Sequence, residues 1–153
     1  MTDNPFRLEG QLALVTGGGT GLGLAIAQAL IESGARVVIT GRREEILQQA
    51  AARLGPAAAF IRHDVSQLDT SPALIEHIER EFGPLDILVN NAGNYLKAPV
   101  VDTSDADLDR IMQTHLYGSF ALSRECARGM LARGRGSIVM ILSMAALFGI
   151  PEV

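Results

Sequence analysis

The sequence predicts an α/β fold in which a doubly wound parallel sheet of five strands is wrapped by four helices. Three observations predict it. From Gln11 onward, short apolar runs alternate with longer stretches of helical period. The run LDILVN at 85–90 is almost wholly apolar, the pattern of a strand covered on both faces. A glycine cluster, TGGGTGLG at 16–23, joins the first strand to the first helix. No linker, repeat or low-complexity segment interrupts the series, so residues 1–153 are expected to form a single domain with right-handed crossovers.

The elements follow in order. QLALVT at 11–16 reads as the first strand, and Leu22, Ile26 and Leu30 then recur every four residues on a helix that Gly34 ends. ARVVIT at 35–40 is the second strand. Ile46, Leu47, Ala50, Ala51 and Leu54 make one face of the next helix, which stops at Gly55-Pro56 before the third strand, AAAFIRH at 57–63. Leu74, Ile75, Ile78 and Phe82 repeat the helical spacing up to Gly83-Pro84, and LDILVN is the fourth strand. Ser104 with Asp107 three residues on resembles a cap, opening a long helix through Leu108, Ile111, Met112 and Leu116 to about Leu131. GSIVMILS at 136–143 reads as a buried fifth strand with Ser143 at its end.

Composition bounds the partners. At 48% hydrophobic, 153 residues suffice for one sizeable core. Thirteen basic against seventeen acidic residues give a net charge of −4, without a Lys/Arg cluster, so a nucleic acid partner is not expected. Cys126 is the single cysteine and has no Cys/His grouping around it, which predicts neither an internal disulfide nor a metal site and fits a reducing cytoplasm. MTDNPFRLEG has no basic-then-apolar leader pattern, and no apolar run approaches the ~20 residues that cross a bilayer, so neither export nor membrane insertion is expected.

The chemistry-bearing motif is the glycine turn. Gly17, Gly21 and Gly23 are its pivots, and with Gly19, Thr20 and Leu22 they would let backbone amides at a helix N-terminus approach a diphosphate. The spacing G-x-x-x-G-x-G, with no following Lys-Ser or Lys-Thr, points to a dinucleotide rather than a nucleoside triphosphate. Where the second strand ends, Thr40-Gly41-Arg42-Arg43 has no Asp or Glu to accept ribose hydroxyls. Gly41 leaves space and Arg42 offers a bidentate donor suited to the 2′-phosphate of NADP, with NAD as the other possibility. The competing reading has Arg42 and Arg43 simply opening a solvated helix, paired with Glu44 or Glu45.

TGGGTGLG, followed by Asp64-Val65 after the third strand and Asn90-Asn91-Ala92-Gly93 after the fourth, resembles the short-chain dehydrogenase/reductase family, whose fold is Rossmann-type. The resemblance implies hydride transfer between a nicotinamide cofactor and a small-molecule carbonyl or alcohol. It implies that Asp64 contacts the adenine amino group, that Val65 lies against the ring, and that Asn90, Ala92 and Gly93 brace the central strands beside the cofactor ribose. It matches Ser143 to the family serine that holds the substrate oxygen. His115, in THLYGSF, stands where the family has an Asn supporting a proton-relay water. A histidine could still position a water, although His115 also falls at the helical spacing of Leu108, Ile111 and Met112, as a core histidine would. The long helix resembles the one that pairs family members into dimers and tetramers, so a homo-oligomer is expected of the complete protein.

The family's Tyr-x-x-x-Lys is not present up to Val153. Tyr95 and Tyr117 have no Lys four residues on, and Lys97 is the only lysine. Without that phenol a loss of several orders of magnitude in activity is expected, as is an unprotected apolar edge at the fifth strand. The chain is therefore expected to be the cofactor-binding portion of a longer oxidoreductase; a non-catalytic dinucleotide-binding protein is the alternative. Asn94, Tyr95 and Leu96 are the candidate substrate-pocket residues.

Overall fold

The computed structural model describes residues 6–144 and Leu147. Five strands, β1 (Leu12–Thr16), β2 (Arg36–Gly41), β3 (Ala58–Arg62), β4 (Ile87–Asn90) and β5 (Ser137–Met140), form one parallel sheet in the order β3-β2-β1-β4-β5. Helices α1 (Gly21–Glu32), α2 (Glu44–Leu54), α3 (Ser71–Phe82), α4 (Asp105–Met112) and α5 (Ser119–Arg133) supply the crossovers. The chain winds outward from β1 through β2 to β3, then returns to place β4 on the other side of β1. That reversal opens a crevice at the carboxyl ends of β1 and β4, where open α/β sheets bind ligands.

Strand alternation sends side chains to two cores. Ala13 and Val15 of β1 join Val37 and Ile39 of β2 under α1 and α2, against Ala27, Leu47, Ala50 and Leu54. Leu12 and Leu14 face the other way with Val38 and Leu88, against Leu74, Ile75 and Ile78 of α3 and Leu122, Cys126 and Met130 of α5. Each fully buried Leu or Ile here contributes about 1.5–3 kcal/mol. Cys126 sits inside the second core, where burial above all, and then the Glu79 carboxylate, push its thiol up to about 12, so it stays protonated and unreactive.

Two expectations are corrected. The long helix begins as predicted, with Ser104 Oγ accepting from Asp107 N at 3.2 Å, but α4 and α5 are joined by a π-turn at Gln113–Gly118. Leu108 is exposed on α4, and one residue more per turn then shifts the phase, so Leu116 is exposed and the buried stripe runs through Ala121, Leu122, Cys126 and Met130 instead. The fifth strand is not a buried one but the unprotected apolar edge also expected of it: Ile138, Val139 and Met140 are 38%, 40% and 43% exposed, because β5 pairs with β4 alone among the described residues. Among the described residues no helix is long and apolar enough to cross a membrane, and no group of His, Cys, Asp and Glu could hold a metal ion.

Candidate functional site

A cleft of about 970 Å³ opens at the carboxyl ends of the strands. Gly17, Gly19, Thr20, Gly21, Leu22, Gly23, Arg42, Asp64, Val65, Ala92 and Gly93 all line it, so the structure brings these sequence candidates together. The turn that enters α1 explains why. A Cβ at Gly23 would collide with the Gly17 carbonyl and come within 2.5 Å of Asn91 Nδ2. Gly21 differs: its φ is +53° and nothing lies within 4 Å of where a Cβ would stand. Gly23 therefore lets the helix pack on the turn, whereas Gly21 combines a left-handed backbone with open space in the cleft.

Two residues that the sequence reading left aside hold this turn to β4. Thr16 Oγ1 accepts from Asn91 N at 3.0 Å and Ala92 N at 2.9 Å, and donates to the Val89 carbonyl at 3.3 Å. Asn91 Nδ2 donates to the carbonyl of Thr16 at 2.9 Å and lies 3.4 Å from that of Gly17. The signal was a hydroxyl at the last residue of β1 beside an amide pair after β4. Asn90 takes another direction: it is buried, does not line the cleft, and sends Nδ2 to Ser123 Oγ at 3.0 Å and Met140 Sδ at 3.2 Å. It ties β4 to α5 and β5.

At the rim beyond β2, Arg42 and Arg43 are exposed and lead directly into α2, with Arg43 at its N-cap; among the described residues neither makes an ion pair with Glu44 or Glu45. Asp64 Oδ1 accepts from Ser66 N at 3.1 Å and Ser66 Oγ at 2.8 Å, an Asx-type turn that fixes the carboxylate at the cleft wall. Beside it, His63 is 8% exposed. Thr70 Oγ1 donates to the Gln67 carbonyl at 2.7 Å, so its contact with His63 Nε2 at 3.0 Å has the imidazole as donor and leaves Nδ1 a buried acceptor without a protein partner. Burial holds the His63 pKa below the usual 6.5, with the Asp64 charge opposing.

The π-turn clamps both walls. Gln113 Nε2 donates to the Ser66 carbonyl at 3.1 Å, and Gly118 packs against the Val65 carbonyl. His115 is exposed rather than in the core. Its Nε2 lies 2.7 Å from the Asn94 carbonyl and 3.1 Å from Asn94 N, so one ring nitrogen either donates to the first or accepts from the second. Asn94 Nδ2 donates to Thr114 Oγ1 at 3.1 Å and the Arg110 carbonyl at 3.3 Å. His115 thus engages the backbone of the segment after Gly93. Ser143 is exposed, lies beyond the last residue of β5, and is not among the residues lining the cleft.

A parallel sheet reversing at β1 and β4, with a glycine turn feeding a helix at that reversal, defines the Rossmann-type class of α/β proteins. The chain belongs to the short-chain dehydrogenase/reductase family: the family described as short chain dehydrogenase matches residues 11–153. It is 39% identical to gluconate 5-dehydrogenase of Gluconobacter oxydans over 97% of this chain and 59% of that protein. It is 38% identical to the NADP-dependent (R)-specific alcohol dehydrogenase of Lentilactobacillus kefiri, over 100% of this chain and 61% of the other. Among solved structures, a gluconate 5-dehydrogenase from Burkholderia cenocepacia in complex with NADP and tartrate superposes with a TM-score of 0.91 at 39% identity, covering 97% of this chain and 59% of that one. The chain thus spans about three fifths of the length of the relatives it matches.

Proposed function

We propose that the protein is an NADP-preferring oxidoreductase acting on a small-molecule carbonyl or alcohol, of which this chain supplies the cofactor-binding portion. The observation that carries the reading is the turn at 16–23: Gly21 leaves open space at the start of α1, inside a cleft whose far rim bears Arg42 with no carboxylate partner among the described residues. The residues present fit such a cofactor. The first amides of α1 would hold the diphosphate, with Gly17, Gly19, Thr20, Leu22 and Gly23 shaping the turn around it. Arg42 would take the 2′-phosphate through a two-pronged contact, for which Gly41 leaves room. Asp64, whose Oδ1 is occupied by Ser66, would accept the adenine amino group on its other oxygen, and Val65 would flank the ring. Ala92 and Gly93 would let the nicotinamide ribose approach the backbone.

When bound, the nicotinamide supplies the acceptor or donor of the hydride. Ser143 would hold the substrate oxygen, and His115 would position the Asn94 segment over the nicotinamide end. The proton-exchanging Tyr-x-x-x-Lys would come from the remainder of the complete protein, an inference supported by relatives longer than this chain. Cytoplasmic residence is supported by the single buried thiol, and self-association by exposed Leu116, Tyr117 and Phe120 along one long helix.

Fluorescence titration of the full-length protein with NADPH and NADH tests this. NADPH is expected to bind about tenfold tighter or better, and Arg42→Asp to abolish that preference. Equal affinities in the wild type, or a preference untouched by Arg42→Asp, would overturn the cofactor assignment. Saturable binding with no turnover of any carbonyl or alcohol by the complete protein would favour the non-catalytic alternative.

A further inference from the structure

The ribose rim carries a third guanidinium. β2 and β3 run in parallel register with Gly41 opposite Arg62, and His63 N donates to the Gly41 carbonyl at 2.9 Å, so the two strand ends are locked side by side. Along β3, Ala59 and Ile61 pack toward the α3 core and Phe60 toward the α2 core, which puts Arg62 on the α2 face. On that face its neighbour across the sheet is Gly41, which has no side chain. Arg62 Nε donates to the Arg42 carbonyl at 3.2 Å. Its Nη1 and Nη2 have no protein partner among the described residues.

Arg42 and Arg43 line the cleft just beyond β2, and Arg62, at the neighbouring end of β3, is bonded to the Arg42 backbone. None of them forms an ion pair among the described residues, although Glu44 and Glu45 occupy the first turn of α2 directly after Arg43. In a chain of net charge −4, guanidiniums that form no ion pair with the nearby carboxylates are open to an outside anion. A phosphate monoester carries nearly two negative charges and three acceptor oxygens, more than one guanidinium satisfies. Arg62 does not itself line the cleft, but Gly41 and His63, on either side of it, do.

We propose that Arg62 is a specificity-determining residue for the cofactor's 2′-phosphate. Its Nε bond fixes the backbone of Arg42, and its remaining nitrogens add charge beside the phosphate. The inference rests on the reading of the cleft as an NADP site, and adds to it a residue from β3 that the end of β2 does not reveal.

The test is a set of NADPH and NADH titrations on the full-length protein, with thermal melts to check folding. Wild type is compared with Arg42→Ala, Arg62→Gln, Arg62→Lys and the Arg42→Ala/Arg62→Gln double variant. Arg62→Gln is expected to weaken NADPH about tenfold while NADH stays within about twofold. Arg62→Lys, which keeps the charge but not the planar fork, is expected to lose about threefold for NADPH. The double variant is expected to lose less than the product of the single losses, because part of the Arg62 effect passes through Arg42. An unchanged NADPH/NADH ratio in Arg62→Gln, or equal weakening of both nucleotides, overturns the proposal. A wild type without NADPH preference overturns the reading of the cleft as well. If Arg42→Ala removes the preference and Arg62→Gln leaves it, the role of Arg62 alone falls.

Discussion

On the β1–α1 side of the cleft the contacts are between backbone and small groups: Gly23 against the Gly17 carbonyl, and Thr16 and Asn91 tying the turn to β4. On the π-turn side they are made by longer side chains reaching to loops, exposed His115 to Asn94 and half-buried Gln113 to Ser66, and the serine expected to face the substrate lies beyond β5 and outside the cleft lining. In the first wall Gly23, Thr16 and Asn91 interlock, so a shift of any one breaks a contact of another. The second is held by single hydrogen bonds in partly solvated surroundings, each worth about 1 kcal/mol. A dinucleotide site of this kind is completed by local sequence, whereas the substrate end depends on contacts brought from distant elements.

Substitutions on the two walls sharpen that contrast. Gly23→Val should be the most damaging, costing about 3 kcal/mol or preventing folding, because its side chain would meet both the Gly17 carbonyl and Asn91. Urea denaturation reads it, and a loss below about 1 kcal/mol would mean that the turn yields. Thr16→Val should cost about 2 kcal/mol, since the amides of Asn91 and Ala92 lose their acceptor, while Thr16→Ser recovers most of it. On the other wall, His115→Ala should cost about 1 kcal/mol or less and appear mainly as faster hydrogen exchange at the Asn94 amide. A greater loss there than in Thr16→Val would reverse the comparison.

The smallest effect is on pH dependence. Burial lowers the pKa of His63 below its unfolded value of 6.5, with Asp64 opposing. The unfolded chain then binds a proton before the folded chain does, so this stability is complete above pH 6.5 and is lost as pH falls through the folded pKa. As pH falls below 6.5 the wild type should lose a small amount of stability that His63→Asn does not lose. Parallel stability curves for the two proteins would show that His63 does not titrate differently on folding.

The sequence was legible where the determinants were local. Glycine spacing announced the turn, apolar runs announced the strands, and Ser104 with Asp107 announced the start of α4. The π-turn was not legible, since one inserted residue leaves composition untouched while displacing every later side chain by about a quarter-turn. That displacement is why Leu116 is exposed and His115 is outside the core. The exposure of β5 was half legible: the apolar run suggested burial, and only the absence of a second neighbour corrects it. Asn90 and Asn91 could not be told apart in the sequence, because which amide faces the turn depends on strand register.

Backbone ¹⁵N–¹H shifts of the full-length protein during titration with NADPH test the central claim most directly. If the start of α1 holds the diphosphate, the largest changes fall on the amides of Gly19 to Gly23, with a second group at Arg42 that NADH leaves smaller. Unshifted amides in that turn while NADPH binds elsewhere would contradict the account.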